Sequence, residues 1–499
     1  MSGGVPVEAS VRPERTLLAP GLEIPRIVTG LWQVADMERG GTLLDPTRGA
    51  ASMAEYAAAG FDAFDMADHY GSAEVITGTL LASPAGRGVR AFTKWCPPPG
   101  PINAVVVREG VQRALDRLQV PCIDLLQFHW WTFEHPGYID AMVELARLRE
   151  EGLIAHLGLA NFDTAHLRLL LAEGLPIASN QVCISLLDRR ATQEMSQLCL
   201  ERGVRLLAYG VLGGGFLSQR WLGADEPAEV ADWSKMKYRR FIDAVGGWAA
   251  LQVVLRAANQ IGAKHGVSLS NVATRWVLEQ PAVAAASVGA RLGQSEHRAD
   301  NLQLFKFALD DEDQTRLAAA FAQTRRLPGD CGDEYRRPPF LTASGDLSHH
   351  LNALPPVWER VPVAGRAERW TVDSGSVWEP LAGYSRAVRV RERILVSGTT
   401  ATHGSGRLIG RNDAAVQATY ILDKIAASIQ ALGGRLEDVV RTQVYLSDVN
   451  DWRAVSAVHG AYFGAIRPAN TMLQAGALVG DGYRVEIEAE AIVDSSGAA

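Results

Sequence analysis

The sequence lacks several features that would mark it for particular functions. Its five cysteines are odd in number and scattered, and no C-x-x-C pair occurs, so neither a disulfide framework nor a zinc site is indicated. The N-terminal stretch "MSGGVPVEASVRPERT" has no apolar segment, and no apolar run reaches the ~18 residues of a membrane-spanning helix. No basic block with interleaved aromatic residues is present, and the formal net charge is −7. We therefore expect a cytoplasmic protein with reduced, buried cysteines, no metal, and neither nucleic acid nor membrane as a partner.

What is present is an ordinary globular composition in a long chain. The 499 residues are 47% hydrophobic and 21% charged, which is enough apolar surface for real cores. This length exceeds one ordinary domain and predicts two or three.

Residues from about 25 to 310 alternate strand-like runs with amphipathic stretches of helical period. The strand-like runs are "RIVTGLWQV", "FDAFDMA", "VRAFTKW", "IDLLQFHW", "IAHLGLANF", "IASNQV", "VRLLAYGV" and "VAAASVGA". Eight strands, each followed by a helix, predict a (β/α)₈ TIM barrel of the α/β class. A doubly wound open sheet is the alternative, but it usually has a glycine-rich phosphate turn after its first strand, which "GLWQVADMERGG" does not provide.

The pattern changes after the helix-like "DEDQTRLAAAFAQ". A stretch rich in proline, glycine and polar residues follows, and then a strand–helix–strand–helix–strand–strand order that predicts a small α+β domain. We place the barrel at residues 15–345, a linker at 346–370 and the second domain at 371–499.

Four polar residues lie at the ends of three successive predicted strands. Asp65 and Tyr70 follow the second strand, Lys94 ends the third and His129 ends the fourth. Each alone could be an ordinary helix cap, core or surface residue, but the C-terminal strand ends of a barrel share one mouth. A lysine ammonium, fixed by a carboxylate, would lower the pKa of a tyrosine phenol, and a histidine would orient the substrate oxygen. Together the four residues predict a tuned acid that protonates a nascent alkoxide.

These residues also carry a family resemblance. "FDMADHYGSAE", "FTKW" and "LLQFHW" resemble the corresponding segments of the aldo-keto reductases, over roughly residues 15 to 345. The resemblance implies that Asp65, Tyr70, Lys94 and His129 form the catalytic tetrad. It also implies hydride transfer between a nicotinamide cofactor and a carbonyl or alcohol carbon, with Tyr70 as proton donor.

The resemblance extends to the nicotinamide end of a cofactor site. "GLANF" resembles the family's Gly-x-Ser-Asn turn, which implies that Asn161, with Gln181, holds the carboxamide, although the usual serine is Ala160 here. "LLAYGVLGGGFLS" implies that Tyr209 stacks on the nicotinamide and that Leu212 and Gly213 lie near the pyrophosphate.

The segment "SVGARLGQSEHRADN" resembles the family's adenosine-end segment. It implies that Arg291, His297 and Arg298 pair with a 2′-phosphate and that Asn301 contacts the adenine. NADPH is therefore favoured, and NADH remains possible.

Two tryptophans are predicted to wall the substrate pocket. Trp32 and Trp130 follow the first and fourth predicted strands, and pockets are commonly aromatic with few polar groups. The sequence does not name the carbonyl substrate.

The C-terminal part resembles the RidA family, whose fold is also described as chorismate-mutase-like. The resemblance covers about residues 375 to 494, and it places Tyr384, Asn470 and Glu486 in the family's cleft. Members that hydrolyse enamines or imines carry an arginine at the position of Asn470, and a neutral amide cannot form that residue's bidentate ion pair. The resemblance implies a trimer with its clefts between the subunits, and assembly or small-molecule binding is favoured for this domain.

Two alternatives to the reductase hypothesis stay open at this stage. The C-terminal domain could supply the principal activity as an enamine or imine hydrolase coupled to the barrel. The barrel could instead bind NADPH as a scaffold without turnover. The intact tetrad argues against the scaffold.

Overall fold

The computed structural model describes most of the chain. The described residues are 11–34, 40–97, 101–230, 232–294, 297–337, 355–404 and 406–493. All five cysteines are free, and four of them are buried, as the composition indicated.

A β-hairpin precedes the barrel and closes one of its ends. Strands β1 (Arg15–Ala19) and β2 (Leu22–Pro25) pair antiparallel around Gly21, whose φ of 78° suits glycine. Apolar side chains of the hairpin pack with side chains from the barrel strands; among them are Leu18, Leu22, Ile24, Phe92, Leu125 and Leu207. The sequence pattern does not predict this hairpin.

The barrel itself is closed and parallel, as predicted. Its strands are β3 (Ile27–Gly30), β4 (Ala63–Asp65), β5 (Arg90–Trp95), β6 (Ile123–His129), β7 (Ile154–Ala160), β8 (Ile177–Cys183), β9 (Arg205–Tyr209) and β10 (Val283–Gly289). Each strand pairs with the next, and β10 pairs with β3 to close the ring. The strands are almost wholly buried because the hairpin and side chains fill the interior and helices cover the outside.

Eleven helices of the described residues surround or extend the barrel. They are α1 (Pro46–Ala58), α2 (Ala73–Leu81), α3 (Ala104–Leu118), α4 (Tyr138–Glu150), α5 (Thr164–Ala172), α6 (Glu194–Arg202), α7 (Trp233–Val245), α8 (Gly247–His265), α9 (Leu269–Leu278), α10 (Arg298–Gln303) and α11 (Asp311–Phe321). Several begin at an Asp or Asn whose side chain accepts from the first turn, as Asn103 does from the backbone N–H of Val105 and Val106. Helix α7 lies in a segment whose sequence pattern is irregular.

Among the described helices, none by itself has the length and hydropathy of a membrane span. The pair α7 and α8 meets that criterion only jointly, and it is bent by 95°.

The C-terminal part forms one mixed sheet with helices. Its elements are β11 (Arg360–Pro362), β12 (Arg369–Val372), α12 (Trp378–Ala382), β13 (Ala387–Val390), β14 (Arg393–Thr400), α13 (Ala414–Ala431), β15 (Val439–Leu446), α14 (Trp452–Phe463), β16 (Ala469–Gln474) and β17 (Val485–Ile492). The strand order is β11-β12-β13-β14-β17-β15-β16. Residues 386–400, "RAVRVRERILVSGTT", which the pattern predicts as the single first strand of this domain, form the hairpin of β13 and β14.

The second domain begins earlier than the sequence pattern indicated. Strands β11 and β12 belong to its sheet, so the predicted linker 346–370 overlaps the first two strands. The rest of that linker up to residue 354, and residues 338–345 of the predicted barrel domain, lie outside the described residues.

Helix α13 lies between the two domains. One side packs on β14 and β17, and the other packs on α5 of the barrel, so nearly every residue of α13 is buried. At this contact the carboxylate of Asp423 accepts from Tyr138 (2.7 Å) and Tyr462 (2.5 Å), and it lies 3.1 Å from His166 Nε2. The two domains therefore share a buried polar cluster.

His166 is held as a cation in this cluster. Its Nδ1 lies 2.7 Å from Asp163, and its ring stacks on Phe133 with centroids 3.4 Å apart. Burial opposes the charge, but Asp163 and Asp423 outweigh it and raise the pKa of His166 to about 9.

Candidate active site

The C-terminal ends of the barrel strands bring the predicted tetrad together. Asp65 and His129 are the last residues of β4 and β6, and Lys94 is the penultimate residue of β5. Tyr70 lies in the turn between β4 and α2. All four line one cavity.

Asp65 and Lys94 form a buried ion pair at the bottom of this cavity. Lys94 Nζ lies 2.8 and 2.7 Å from the two carboxylate oxygens, and the side chains are only 7% and 6% exposed. The side-chain amides of Gln127 (2.8 Å) and Gln181 (2.9 Å) also donate to Asp65. These hydrogen bonds fix the Asp65 carboxylate, which in turn fixes the Lys94 ammonium in position.

Tyr70 is half-buried above this pair. Its ring meets Trp32 and His69 edge to face, each at 4.9 Å between centroids, and Lys94 Nζ lies 5.5 Å from its centroid. The turn after β4 thus places the phenol within the field of a fixed positive charge, as the sequence predicted.

His129 is neutral, and its two ring nitrogens have different surroundings. Its Nδ1 lies 3.1 Å from the carbonyl oxygen of Ala160, which can only accept, so Nδ1 carries the proton. Nε2 is buried and has no hydrogen-bond partner among the described residues. Burial and the nearby Arg336 guanidinium hold the pKa of His129 well below its ordinary value.

The cavity has a volume of about 600 Å³ and extends from the tetrad to the N-terminal end of α10. Most residues predicted for substrate or cofactor line it: Trp32, Asn161, Gln181, Tyr209, Leu212, Arg291, His297 and Asn301. Gly213 does not line it, although its neighbours Leu212 and Gly214 do.

Trp130 requires a correction. Its Nε1 donates to the backbone of His135 and its ring packs on Phe128, so it faces the helix layer and not the cavity. Successive side chains of an extended segment alternate in direction, and His129 takes the inward position. Trp131 is therefore the tryptophan that lines the cavity, with its ring 4.2 Å from that of His129.

The two arginines predicted for the adenosine end have different surroundings. Arg291 lines the cavity and forms an exposed ion pair with Asp232 at 3.0 Å. Arg298 does not line the cavity; its guanidinium pairs with Glu55 on α1 at 2.7 Å and lies over the ring of Tyr56. The predicted phosphate contact of Arg298 would require that pair to break.

Sequence reasoning missed a group of residues on the cavity wall. Lys237 on α7 and Tyr335 in the turn Asp333–Tyr335 line the cavity, and Lys237 Nζ lies 2.6 Å from the Tyr335 hydroxyl. The hydroxyl of Tyr209 lies 2.7 Å from both Asn161 Oδ1 and the carboxylate of Glu334. Burial favours the neutral acid, but Arg190 and Lys237 outweigh it and lower the pKa of Glu334 to about 2.

The predicted cleft residues of the C-terminal domain do not meet within one chain. Asn470 pairs in register with Thr442 and donates to its hydroxyl, on the face of the sheet beside His459 of α14. Glu486 pairs in register with Tyr445 on the other face. Tyr384 lies near the Glu486 side, where Arg386 Nη2 donates to its hydroxyl at 2.8 Å. Within one chain Asn470 thus lies on the opposite face of the sheet from Glu486, and a cleft that combines these residues between subunits stays a prediction.

The closed parallel barrel and a Tyr–Lys–Asp–His constellation at its mouth define an oxidoreductase that acts on carbonyl and alcohol groups. The family model described as "Aldo/keto reductase family" matches residues 26–321, more than half of the chain. The chain belongs to the aldo/keto reductase family, which generally uses NAD(P)H. A second model, "Endoribonuclease L-PSP", matches residues 376–493 and identifies the C-terminal part as a RidA-type domain.

Individual relatives match one domain or the other. The barrel is 25% identical over 279 residues to the chloroplastic pyridoxal reductase of Arabidopsis thaliana, covering 52% of this chain and 73% of that protein. The C-terminal domain is 33% identical over 114 residues to a RutC family protein of Pyrococcus abyssi, covering 23% of this chain and 87% of that protein. Matches to the barrel span between 33% and 73% of the length of the first curated relatives.

A solved structure shares the barrel fold. The glycerol dehydrogenase of Gluconobacter oxydans superposes with a TM-score of 0.52 at 22% identity, covering 64% of this chain and 98% of that chain.

Proposed function

We propose that this chain is an NADPH-dependent carbonyl reductase whose proton donor is Tyr70. The observation that carries the proposal is the buried Asp65–Lys94 pair beneath the Tyr70 ring, in the same cavity as an unpartnered His129 nitrogen. Burying an ion pair at this position costs desolvation free energy, and a scaffold without turnover would gain no catalysis in return.

The residues of the cavity fit a nicotinamide dinucleotide. Two side-chain amides, Asn161 and Gln181, line the same cavity as the half-buried Tyr209, whose hydroxyl donates to Asn161. Arg291 and His297, beside the N-terminal end of α10, offer positive or donor groups to a phosphate, and Arg220 also lines the cavity. This set of amide, aromatic and cationic groups suits a carboxamide, a ring and phosphates.

When bound, the reduced cofactor supplies a hydride to the carbonyl carbon. Tyr70 donates its proton to the carbonyl oxygen as negative charge develops there. Lys94 stabilises the resulting phenolate by Coulombic attraction, and Asp65 keeps the ammonium in position after the proton has left. Trp32 and Trp131 limit the space beside the oxygen.

His129 has a directional role that follows from its tautomer. Because Nδ1–H donates to Ala160, Nε2 has a lone pair and accepts hydrogen bonds. It therefore accepts from the hydroxyl of the alcohol, whereas a carbonyl oxygen receives its hydrogen bond from Tyr70. This arrangement supports both reduction and the reverse oxidation.

The identity of the carbonyl compound is proposed only as a class. The similarity of the barrel to a protein named pyridoxal reductase supports a carbonyl compound as the substrate. We accordingly assign this chain an aldehyde or ketone as substrate.

For the RidA-type domain we propose assembly. Its helices α13 and α14 lie on one face of the sheet, while the opposite face leaves Leu395 and Leu473 45% and 44% exposed. A second and third copy of the chain would cover this face. The hydrolase alternative is less favoured because Asn470 stands where the hydrolytic members carry an arginine, and a neutral amide cannot form that residue's bidentate ion pair.

The reductase proposal is tested with a panel of aldehydes and ketones, followed by loss of NADPH absorbance with the full-length chain. We expect Tyr70→Phe to lower kcat by about 10²-fold or more, because general acid catalysis contributes about 10²–10⁴. NADPH binding, measured by fluorescence, should not change. Tyr445→Phe, on the sheet of the other domain, is the matched control. Equal rates for wild type and Tyr70→Phe would contradict the proposal.

A further inference from the structure

The cavity is lined by a second pair of a phenol and an ammonium, Tyr335 and Lys237. In this pair the lysine precedes the tyrosine in the chain, whereas in the tetrad Tyr70 precedes Lys94. Lys237 comes from α7 and Tyr335 from the turn that follows α11, nearly a hundred residues later. Lys237 Nζ lies 2.6 Å from the Tyr335 hydroxyl and 3.5 Å from that of Tyr209. The tetrad does not use this pair.

The surroundings of the Lys237 ammonium differ from those of Lys94. Lys94 has the carboxylate of Asp65 in direct contact, whereas no described carboxylate oxygen lies within 4.0 Å of Lys237 Nζ. The nearest candidate, Glu334, is held by Arg190 at 2.8 Å and by Tyr209 at 2.7 Å. Two phenol oxygens are the acceptors for the three N–H groups of Lys237 among the described residues.

Aromatic rings surround this ammonium on several sides. Its distances to the ring centroids of Tyr335, Tyr209 and Tyr238 are 4.2, 4.9 and 5.7 Å, and the residue is 8% exposed. Cation–π contacts stabilise a charge partly, but a buried ammonium without a carboxylate in contact retains a strong affinity for an anion.

Tyr335 connects this ammonium to the catalytic centre. Its ring centroid lies 5.4 Å from the His129 ring and 6.4 Å from Trp131, while the same ring is 4.2 Å from Lys237 Nζ. A carbonyl oxygen that accepts from Tyr70 beside His129 therefore belongs to a molecule whose far end reaches Lys237 after about one aromatic ring.

We propose that Lys237 is a specificity-determining residue that binds a carboxylate on the substrate. The preferred substrate class is then an aldehyde or ketone with a carboxylate at the end remote from the carbonyl, held by Lys237 and bordered by Tyr335. This inference rests on the proposed reductase function for turnover, but the anion site itself can be measured without turnover.

The kinetic test compares 4-carboxybenzaldehyde with its methyl ester, using NADPH and the full-length chain. Wild type should prefer the acid, and Lys237→Met should lower kcat/KM for the acid about 10-fold or more, mainly through KM, while the ester changes less than about twofold. Arg240→Met removes one charge from the exposed side of the same helix and is the control. A general structural role of Lys237 would lower kcat/KM for the acid and for the ester by the same factor, and that result overturns the proposal. A rise in KM for NADPH with an unchanged ratio of acid to ester would assign Lys237 to the cofactor and also overturn it.

The binding test separates this proposal from the reductase proposal. Benzoate and benzamide are titrated by calorimetry into the NADPH-loaded protein, where neither compound can be reduced. Benzoate should bind about 10-fold or more tightly than benzamide, and Lys237→Met should abolish the difference. Equal affinities overturn the anion site. If benzoate binds more tightly than benzamide but the protein reduces no aldehyde, the anion site is supported and the reductase proposal is overturned.

Discussion

At the residue scale, Arg291 and Arg298 have different surroundings, although the sequence predicts the same phosphate contact for both. Both stand in the segment that resembles an adenosine-binding site, yet Arg291 lines the cavity and Arg298 is held by Glu55 on α1. A guanidinium gains most from a phosphate when it is already placed at the site.

We expect Arg291→Ala to raise KM for NADPH about 10-fold and to leave KM for NADH unchanged, because only NADPH has the 2′-phosphate. Arg298→Ala is the matched variant and should change KM for NADPH less than about threefold. Steady-state kinetics with both cofactors provide the measurement. If Arg298→Ala has the larger effect, the cofactor assignment at this end is wrong.

The same scale shows which site residues the sequence could supply. Asp65, Lys94 and His129 were predictable because each ends a strand of a parallel barrel, and strand ends converge whatever the intervening loops do. Trp130 was assigned to the wrong side because adjacent residues of an extended segment point in opposite directions, and His129 takes the inward position. Lys237 and Tyr335 were missed because each follows an irregular segment, and only the folded chain brings them together.

At the scale of elements, helix α13 joins the two domains through one buried cluster. Asp423 on α13 accepts from Tyr138 of α4 and Tyr462 of α14 and faces His166 of α5. Replacing this carboxylate lowers the stability of the fold, because Tyr138, Tyr462 and His166 would each lose a buried partner.

We expect Asp423→Asn to lower the free energy of unfolding by about 3 kcal/mol, because it leaves the buried His166 cation with one carboxylate instead of two. Asp140→Asn is the control: this residue pairs with His403 across the same domain contact but is 50% exposed, and it should cost less than about 1 kcal/mol. Chemical denaturation followed by circular dichroism measures both. Equal losses would show that the buried cluster adds nothing beyond a surface pair.

The cluster also predicts a pH dependence. The pKa of His166 is raised from 6.5 to about 9 in the folded chain, so folding takes up a proton between these values. The stabilisation is complete below pH 6.5 and is lost as the pH rises through 9. The difference in Tm between wild type and His166→Gln should therefore shrink from pH 6.5 to 9, and a constant difference would refute a charged His166.

The fold of these elements was predictable in part. Eight strand-like runs separated by amphipathic stretches predicted the barrel correctly, because a buried parallel strand is a short apolar run. The hairpin of β1 and β2, the start of the second sheet at β11, and helix α7 were not predicted. Their strands are short or exposed and α7 follows a polar loop, so tertiary contacts decide their structure more than local pattern does.

At the scale of the whole molecule, the position of the barrel determines which surface of the RidA-type domain stays open. The barrel covers α13, on the helix side of the sheet, so the proposed self-association would use the opposite face. That face carries Leu395 on β14 and Leu473 on the edge strand β16.

We expect the chain to run as a trimer, three times its mass of 53.9 kDa, in sizing chromatography with light scattering. Leu395→Arg should shift the mass toward the monomer, because a charge in a newly buried interface lacks a partner. Leu381→Arg changes a leucine that is 76% exposed on α12 and is the control. A wild-type mass of 53.9 kDa would contradict assembly through the sheet.

The central claim is that Tyr70, beside the Lys94–Asp65 ion pair, donates its proton to the carbonyl oxygen while a hydride reaches the carbonyl carbon. The most direct measurement is a single turnover with NADPH deuterated at the transferred position of C4, an aldehyde from the panel, and mass analysis of the alcohol. The account predicts one deuterium on the carbinol carbon for wild type, and a transfer rate at least about 10²-fold lower for Tyr70→Phe at equal cofactor occupancy. An alcohol without deuterium, or an unchanged transfer rate in Tyr70→Phe, would contradict it.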